Sequence, residues 1–135
     1  MTAIKNIHIR ATGRRKTSVA QVRLLPKGSG KVTINSRLAA DYFRGQEHQQ
    51  RDVFAPIKLV EAAKDFDYTL KIIGGGLSGQ AGAARHAIAR ALVKLDEKNR
   101  KIMRLEGFLT RDPRMVERKK SGQPKARKRF QYSKR

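Results

Sequence analysis

Apolar and polar positions alternate at the start of the chain, where Ile7, Ile9 and Ala11 are separated by His8 and Arg10. That is the period of a half-buried strand. Thr12-Gly13-Arg14-Arg15 follows as a turn signal, and Ala20, Val22 and Leu24 alternate again. Together they predict a hairpin with a basic tip. Pro26 and Gly28-Ser29-Gly30 break the second strand, and Val32-Thr33-Ile34 makes a short third one. Val53, Ile57 and Val60, with Leu59 and Ala63, then recur at helical spacing. Pro56 is tolerable near that helix's first turn, where its missing N–H costs nothing. Tyr68, Leu70 and Ile72 alternate with Thr69 and Lys71 as a fourth strand, which ends at Gly74-Gly75-Gly76.

Ser78 is a candidate N-cap for a long helix running to about Leu95. Ala81, Ala84, Ile88, Ala91 and Leu95 share one side of it, and His86, Arg90 and Lys94 lie four apart on the other. Lys98 to Leu105 continues as helix or turns, and Asp112-Pro113 marks the end of the globular part. The order strands, helix, strand, helix predicts an α/β (α+β) two-layer sandwich with one mixed sheet.

Composition adds a partner to this picture. The 135 residues carry 32 Lys plus Arg against 11 Asp plus Glu, a net charge of +21, with no Cys. Such a charge repels itself in a compact monomer, so the fold is expected to sit against an anion, with nucleic acid ahead of an anionic membrane surface. Without cysteine there is no disulfide scaffold, thiol nucleophile or zinc–thiolate finger. No run reaches a membrane span and Met1–Arg10 lacks a signal core, so a soluble intracellular protein is expected.

The charge is not spread evenly. Residues 1–40 hold nine cations and no acid, residues 41–113 hold thirteen cations and ten acids, and residues 114–135 hold ten cations against Glu117 alone. The chain therefore divides into a globular domain, 1–113, with a basic hairpin, and an extended basic tail, 114–135. After Met115 and Val116 only Ala126, Phe130 and Tyr132 in that tail could bury anything. Its ordering entropy has nothing to offset it, so alone in water the tail is expected to be disordered.

Candidate chemistry narrows the choice. Gly74-Gly75-Gly76-Leu77-Ser78-Gly79 satisfies G-x-G-x-x-G between a strand and a helix, the form of a pyrophosphate cradle. The acidic partner would be Asp96 or Glu97, at the helix end with no clear strand to follow, so close backbone packing or a phosphate contact is the better reading. Gly28-Ser29-Gly30-Lys31 lacks the Ser or Thr of a P-loop, because Val32 stands there. His8, His48 and His86 fit no metal spacing, and no serine sits in a nucleophile elbow. Neither catalysis, a cofactor nor a metal is expected. In Lys125–Arg135 guanidinium groups alternate with Phe130 and Tyr132, which suits phosphate clasping and stacking on unpaired bases. A free-standing RNA or DNA chaperone would use the same charges.

Four separated stretches carry a resemblance: Ala11-Thr12-Gly13-Arg14-Arg15-Lys16-Thr17-Ser18-Val19-Ala20, Gly74 to His86, Leu109 to Lys120, and Lys128-Arg129-Phe130-Gln131-Tyr132-Ser133-Lys134-Arg135. In this order, and nearly end to end, the chain resembles the universal small-subunit ribosomal protein family numbered nine, in its bacterial and organellar branch. The resemblance implies a non-enzymatic constituent of the head of the small ribosomal subunit. It also implies a four-stranded sheet with helices on it and a left-handed βαβ crossover, against the general right-handed rule. The implied partners are 16S-type rRNA, peptidyl-site tRNA and neighbouring head proteins, in the cytoplasm or, alternatively, the plastid stroma, with no membrane and no small-molecule substrate. The expected rRNA contacts are Arg10, Arg14, Arg15 and Lys16 on the hairpin, and Arg111, Arg114, Arg118, Lys119 and Lys120 at the root of the tail. Lys125, Arg127, Lys128 and Arg129 continue them. Ser133, Lys134 and Arg135 are the expected contacts to the tRNA anticodon stem-loop.

Overall fold

A computed structural model describes residues 9–134. Ile7 and His8 of the predicted opening strand lie outside them. Strand β1 (Ile9–Arg15) and strand β2 (Ser18–Pro26) form the hairpin. β3 (Val32–Ile34), the two-residue β4 (Arg37–Leu38) and a single turn α1 (Ala39–Tyr42) follow. Helix α2 (Glu47–Leu59), a 3₁₀ turn over Glu61–Asp65 and β5 (Phe66–Ile73) lead to the long helix α3 (Leu77–Leu95) and the short α4 (Asn99–Leu105). The sheet runs β1-β2-β5-β3-β4. β2 is antiparallel to both β1 and β5, β4 is antiparallel to β3, and β3 lies parallel to β5. The class is α+β with a mixed sheet.

Four differences from the sequence pattern have physical causes. The sheet has five strands, because β4 is too short to show a period. Thr12 to Arg15 are strand rather than turn, and the chain reverses at Lys16-Thr17, where Lys16 takes φ 49°. Helix α2 starts at Glu47, so Pro56 sits inside it rather than in its first turn. Its first turn is polar and shows no apolar repeat. Helix α3 is preceded by Gly76, not Ser78, in the N-cap position, and no side chain caps it.

One face of the sheet carries Ala11, Ala20, Val22, Leu24, Tyr68, Leu70 and Ile72, all buried with Val53, Ile57, Ile88 and Leu92 of the helices. The buried Tyr68 hydroxyl donates to the Ala63 carbonyl at 2.7 Å, and burial raises its pKa far above the usual phenol value. Helix α3 is more enclosed than an amphipathic surface helix: Gly79, Ala81 to Ala84, Ala87 to Ala89 and Ala91 to Val93 are all buried. It lies between the hairpin and α2. A Cβ on Gly13 would overlap the Ala83 carbonyl oxygen and the Ala87 amide nitrogen, so the strand backbone touches the helix backbone there.

His86, Arg90 and Lys94 do not point away from the sheet. Arg90 Nη1 donates to the Thr12 carbonyl at 2.6 Å, Lys94 Nζ donates to the Arg10 carbonyl at 2.9 Å, and His86 Nδ1 accepts the Arg14 N–H at 3.3 Å. Four helical residues rise about 6 Å and two strand residues about 6.8 Å, so helix and strand keep step over three pairings. The outer edge of β1, which would otherwise present a row of unpaired peptide groups to another chain, is thus covered in part by its own helix.

Ile88→Asp should abolish cooperative thermal unfolding, because it buries a charge without a partner in a domain holding about 5–15 kcal/mol. Arg90→Ala removes one edge contact and should cost about 0.5–1.5 kcal/mol, leaving a cooperative transition at lower temperature. Equal midpoints for the two variants would contradict the assigned faces.

Candidate nucleic-acid interface

Strand parity sorts the basic hairpin into two kinds of cation. Arg10 and Arg14 share a parity with Thr12 and are exposed on the sheet face that no helix covers, while Lys16 stands exposed in the turn. Arg15 shares the parity of Ala11 and Gly13 and turns toward α3. Its side chain is only 18% exposed and lies across Gly82, where a Cβ would overlap its Cδ. Arg15 Nη2 pairs with Asp112 at 3.3 Å, Nη1 donates to the Ser78 carbonyl at 3.4 Å, and its Nε is buried with no partner. This arginine fastens the root of the tail to the hairpin and the long helix.

Asp112 is the anchor on the tail side. Its carboxylate accepts from Arg114 Nε at 3.0 Å and Nη2 at 2.9 Å, and Oδ1 also takes the Arg114 backbone N–H at 3.0 Å. Those hydrogen bonds, ahead of the charge of Arg15, hold its pKa well below the usual carboxylate range. Beside it, Arg85 reaches Asp52 of α2 at 3.1 Å and stacks over the Phe108 ring at 5.5 Å. Arg15, Arg85, Arg114, His48, Asp52 and Ser78 enclose an open cleft of about 430 Å³. Asp52 neutralises part of it, so the cleft is a junction of elements more than a bare cation pocket.

Beyond Leu109 no described residue packs into the core cluster, and Arg111 to Lys134 contain no helix or strand. Arg111, Arg118, Lys119, Lys125, Lys128, Arg129 and Lys134 are exposed. Phe130 and Tyr132 are exposed too, at 73% and 88%. The chain does not run straight through Gln123-Pro124. Turns and bends over residues 121–127 return Arg127 Nε to Glu117 at 2.9 Å, and Lys120 reaches the same carboxylate at 3.1 Å. In the absence of other anions, one acid gathers two of the tail's cations, which lowers its pKa. Ser133 is exposed and Arg135 lies outside the described residues.

The glycine loop after β5 is filled by its own chain. Gly74 takes φ 75°, its carbonyl accepts Ser18 Oγ at 2.9 Å and Gln80 Nε2 at 3.2 Å, and a Cβ on Gly75 would overlap Ser18 Oγ. Asp96 donates no ligand geometry to it, standing at the far end of α3. Gly74 and Gly75 are thus packed closely against Thr17 and Ser18. Among the described residues no group of His, Asp or Glu is arranged to hold a metal, and no helix is long and apolar enough to cross a membrane.

Comparison with known proteins decides the family. The profile described as "Ribosomal protein S9/S16" matches residues 13–135. The chain belongs to that family. It is 54% identical over 127 residues to "Small ribosomal subunit protein uS9" of Chlorobium chlorochromatii, covering 94% of this chain and 97% of the relative. It is 53% identical over 136 residues to the protein of that name from Methylacidiphilum infernorum, covering 100% and 98%. Anaeromyxobacter sp. supplies another at 54%, covering 91% and 93%. These relatives are bacterial, and the family is one of structural ribosomal proteins, not enzymes.

Two exposed cations escaped the sequence reading. Arg23 and Lys71 lie on β2 and β5 with the outward parity of Arg10 and Arg14. The signal was present, since each stands between two buried apolar residues of its strand.

His86 gives this region a pH dependence. Burial first, then the charge of Arg90 and more weakly that of Arg111, lower its pKa below the ordinary 6.5, outweighing a backbone hydrogen bond at Leu109. The folded state thus binds fewer protons than the unfolded chain in that window, so stability falls as the pH drops through 6.5 and below. Urea midpoints measured at pH 7 and pH 5 should differ by more in the wild type than in His86→Gln. An identical difference in both would remove His86 as the cause.

Proposed function

We propose that the chain is a structural constituent of the small ribosomal subunit, binding 16S-type rRNA through its hairpin and tail. The observation that carries this reading is the tail itself, ten cations against one acid on a segment with no core contact among its described residues. Family membership supplies the ribosome, and the charge supplies the mode of contact. On this reading the body is 1–113 and the arm 114–135, and the β3–α2–β5 crossover is left-handed as in the family. Arg10, Arg14 and Lys16, with Arg111 and the exposed tail cations, meet rRNA phosphates. Arg15 and Arg114 act one step back, by fixing where the arm leaves the body. Neighbouring head proteins and the cytoplasmic ribosome, or that of a plastid, complete the setting.

The arm has the reach for a second partner. About twenty extended residues at roughly 3.3 Å each span some 60 Å, enough to leave the rRNA contact of the body and arrive at peptidyl-site tRNA. Ser133, Lys134 and Arg135 then meet the anticodon stem-loop, with the cations opposing the terminal carboxylate. Phosphate contacts carry no base identity, so the arm positions any tRNA alike. In the free protein its apolar content is too low to hold one conformation.

Two measurements test this. If about 8 cations neutralise phosphates, the log–log dependence of rRNA affinity on salt should have a slope of roughly −6 to −7. A slope near zero removes the RNA reading. Deleting Ser133–Arg135 should leave subunit assembly intact but weaken peptidyl-site tRNA by about 1–3 kcal/mol. Equal tRNA off-rates from truncated and intact subunits would remove the tRNA contact while leaving the rRNA contact standing.

A further inference from the structure

The helices cover one face of the sheet and leave the other open. On that open face the register places Arg10 of β1 directly opposite Arg23 of β2, and Arg23 opposite Thr69 of β5. The next row is Thr12, Gln21 and Lys71, and the one beyond it Arg14, Val19 and Ile73. Arg10, Arg14, Gln21, Arg23, Thr69 and Lys71 are exposed. None of the four cations has a carboxylate partner among the described residues. The one acid of this parity, Asp67, lies at the far end opposite Leu25, and its Oδ1 is occupied by the backbone N–H groups of Ser29 and Lys31 at 2.9 and 3.0 Å.

Directly opposed side chains on antiparallel strands stand about 4.5–5.5 Å apart at Cβ, and like charges there are destabilising. Arg10 against Arg23 is such a pair, with no acid nearby to relieve it. Folding alone gives no reason for it. An anion shared between the two guanidinium groups does, and a second lies within reach of Lys71. No aromatic side chain interrupts the face, so it offers phosphate clasping without base stacking. Its hydroxyl and amide groups, Thr12, Gln21 and Thr69, suit phosphate and ribose oxygens equally.

We propose that the open sheet face, with Arg10, Arg14, Arg23 and Lys71 as its cations, is an RNA backbone surface distinct from the turn at Lys16 and from the tail. The proposal rests on the RNA-binding reading given above. It adds Arg23 and Lys71 as contacts and makes their role sequence-independent.

The test uses the full chain and a transcript of the head region of small-subunit rRNA, with affinity measured as a function of salt. Three proteins are compared: wild type, Arg23→Ala with Lys71→Ala, and Lys101→Ala with Arg104→Ala, which removes two charges from α4 instead. The sheet pair should lose about 1.4–1.8 from the magnitude of the log–log slope, by 0.7–0.9 per phosphate contact, and about ten-fold or more in affinity. The α4 pair should lose clearly less of both. Equal losses from the two pairs, or an unchanged slope in the sheet pair, overturn the proposal. Wild-type binding that is itself insensitive to salt would instead overturn the RNA reading. The RNA-free Arg23→Ala protein should melt at or above the wild-type temperature at low salt, because a like-charge pair is relieved. A lower melting temperature would make Arg23 a structural residue and also overturn the proposal. So would tighter binding to phosphatidylserine vesicles than to the transcript, which would assign the face to a membrane surface.

Discussion

The contact between the backbone of β1 at Gly13 and that of α3 at Ala83 and Ala87 sets the position of nearly everything else. A side chain at residue 13 would push strand and helix apart, and the alanines of α3 would then face empty space. With the two backbones touching, the three pairings of His86, Arg90 and Lys94 come within hydrogen-bond reach of the strand edge. The same closeness lets Arg15 lie across Gly82 and meet Asp112. Small residues on both partners thus convert a packing contact into a partly covered edge and a fixed exit point for the tail.

Charge is handled by separating it from this core. Thirteen cations in residues 41–113 are nearly matched by ten acids, and several of these form ion pairs: Arg85 with Asp52, Arg51 with Glu47 and Arg100 with Glu97. Exposed pairs of this kind contribute little individually, but they go with a stretch, residues 41–113, whose net charge is only +3. The unmatched charge sits on the open sheet face, the hairpin tip and the tail, none of which the hydrophobic core depends on.

Much of this was legible in the residues. Alternation located β2, β3 and β5, helical spacing located the later part of α2 and the whole of α3, and the run of basic residues after Pro113 showed where the core stops. What was not legible came from parity and from contact between elements. Thr12-Gly13-Arg14-Arg15 looks like a turn by composition, yet Gly13 is there because a helix backbone leaves no room for a Cβ. Once those four residues are strand, Arg15 must point inward with Ala11 and Gly13, where it lies across Gly82 and pairs with Asp112. His86, Arg90 and Lys94 look solvent-facing because a helical wheel knows nothing of a strand edge beside it. Arg23 and Lys71 were passed over because single cations in a strand form no run.

The tail shows what the body cannot supply. Glu117 accepts from both Lys120 and Arg127, bending residues 121–127 into a loop around one carboxylate. That carboxylate leaves a segment of net charge +9 still unmatched. The pairs at Glu117 are exposed and screened, so each is worth little against the entropy of a segment none of whose described side chains is buried. A phosphodiester backbone offers a negative charge at every nucleotide along the same path, each open to a forked guanidinium. The bend is therefore held by exposed, screened contacts, while the root at Arg15, Gly82 and Asp112 is held by packing as well as charge. Firm at the root and loosely held beyond it, the arm keeps a defined direction of departure and leaves its further course to whatever anion it meets.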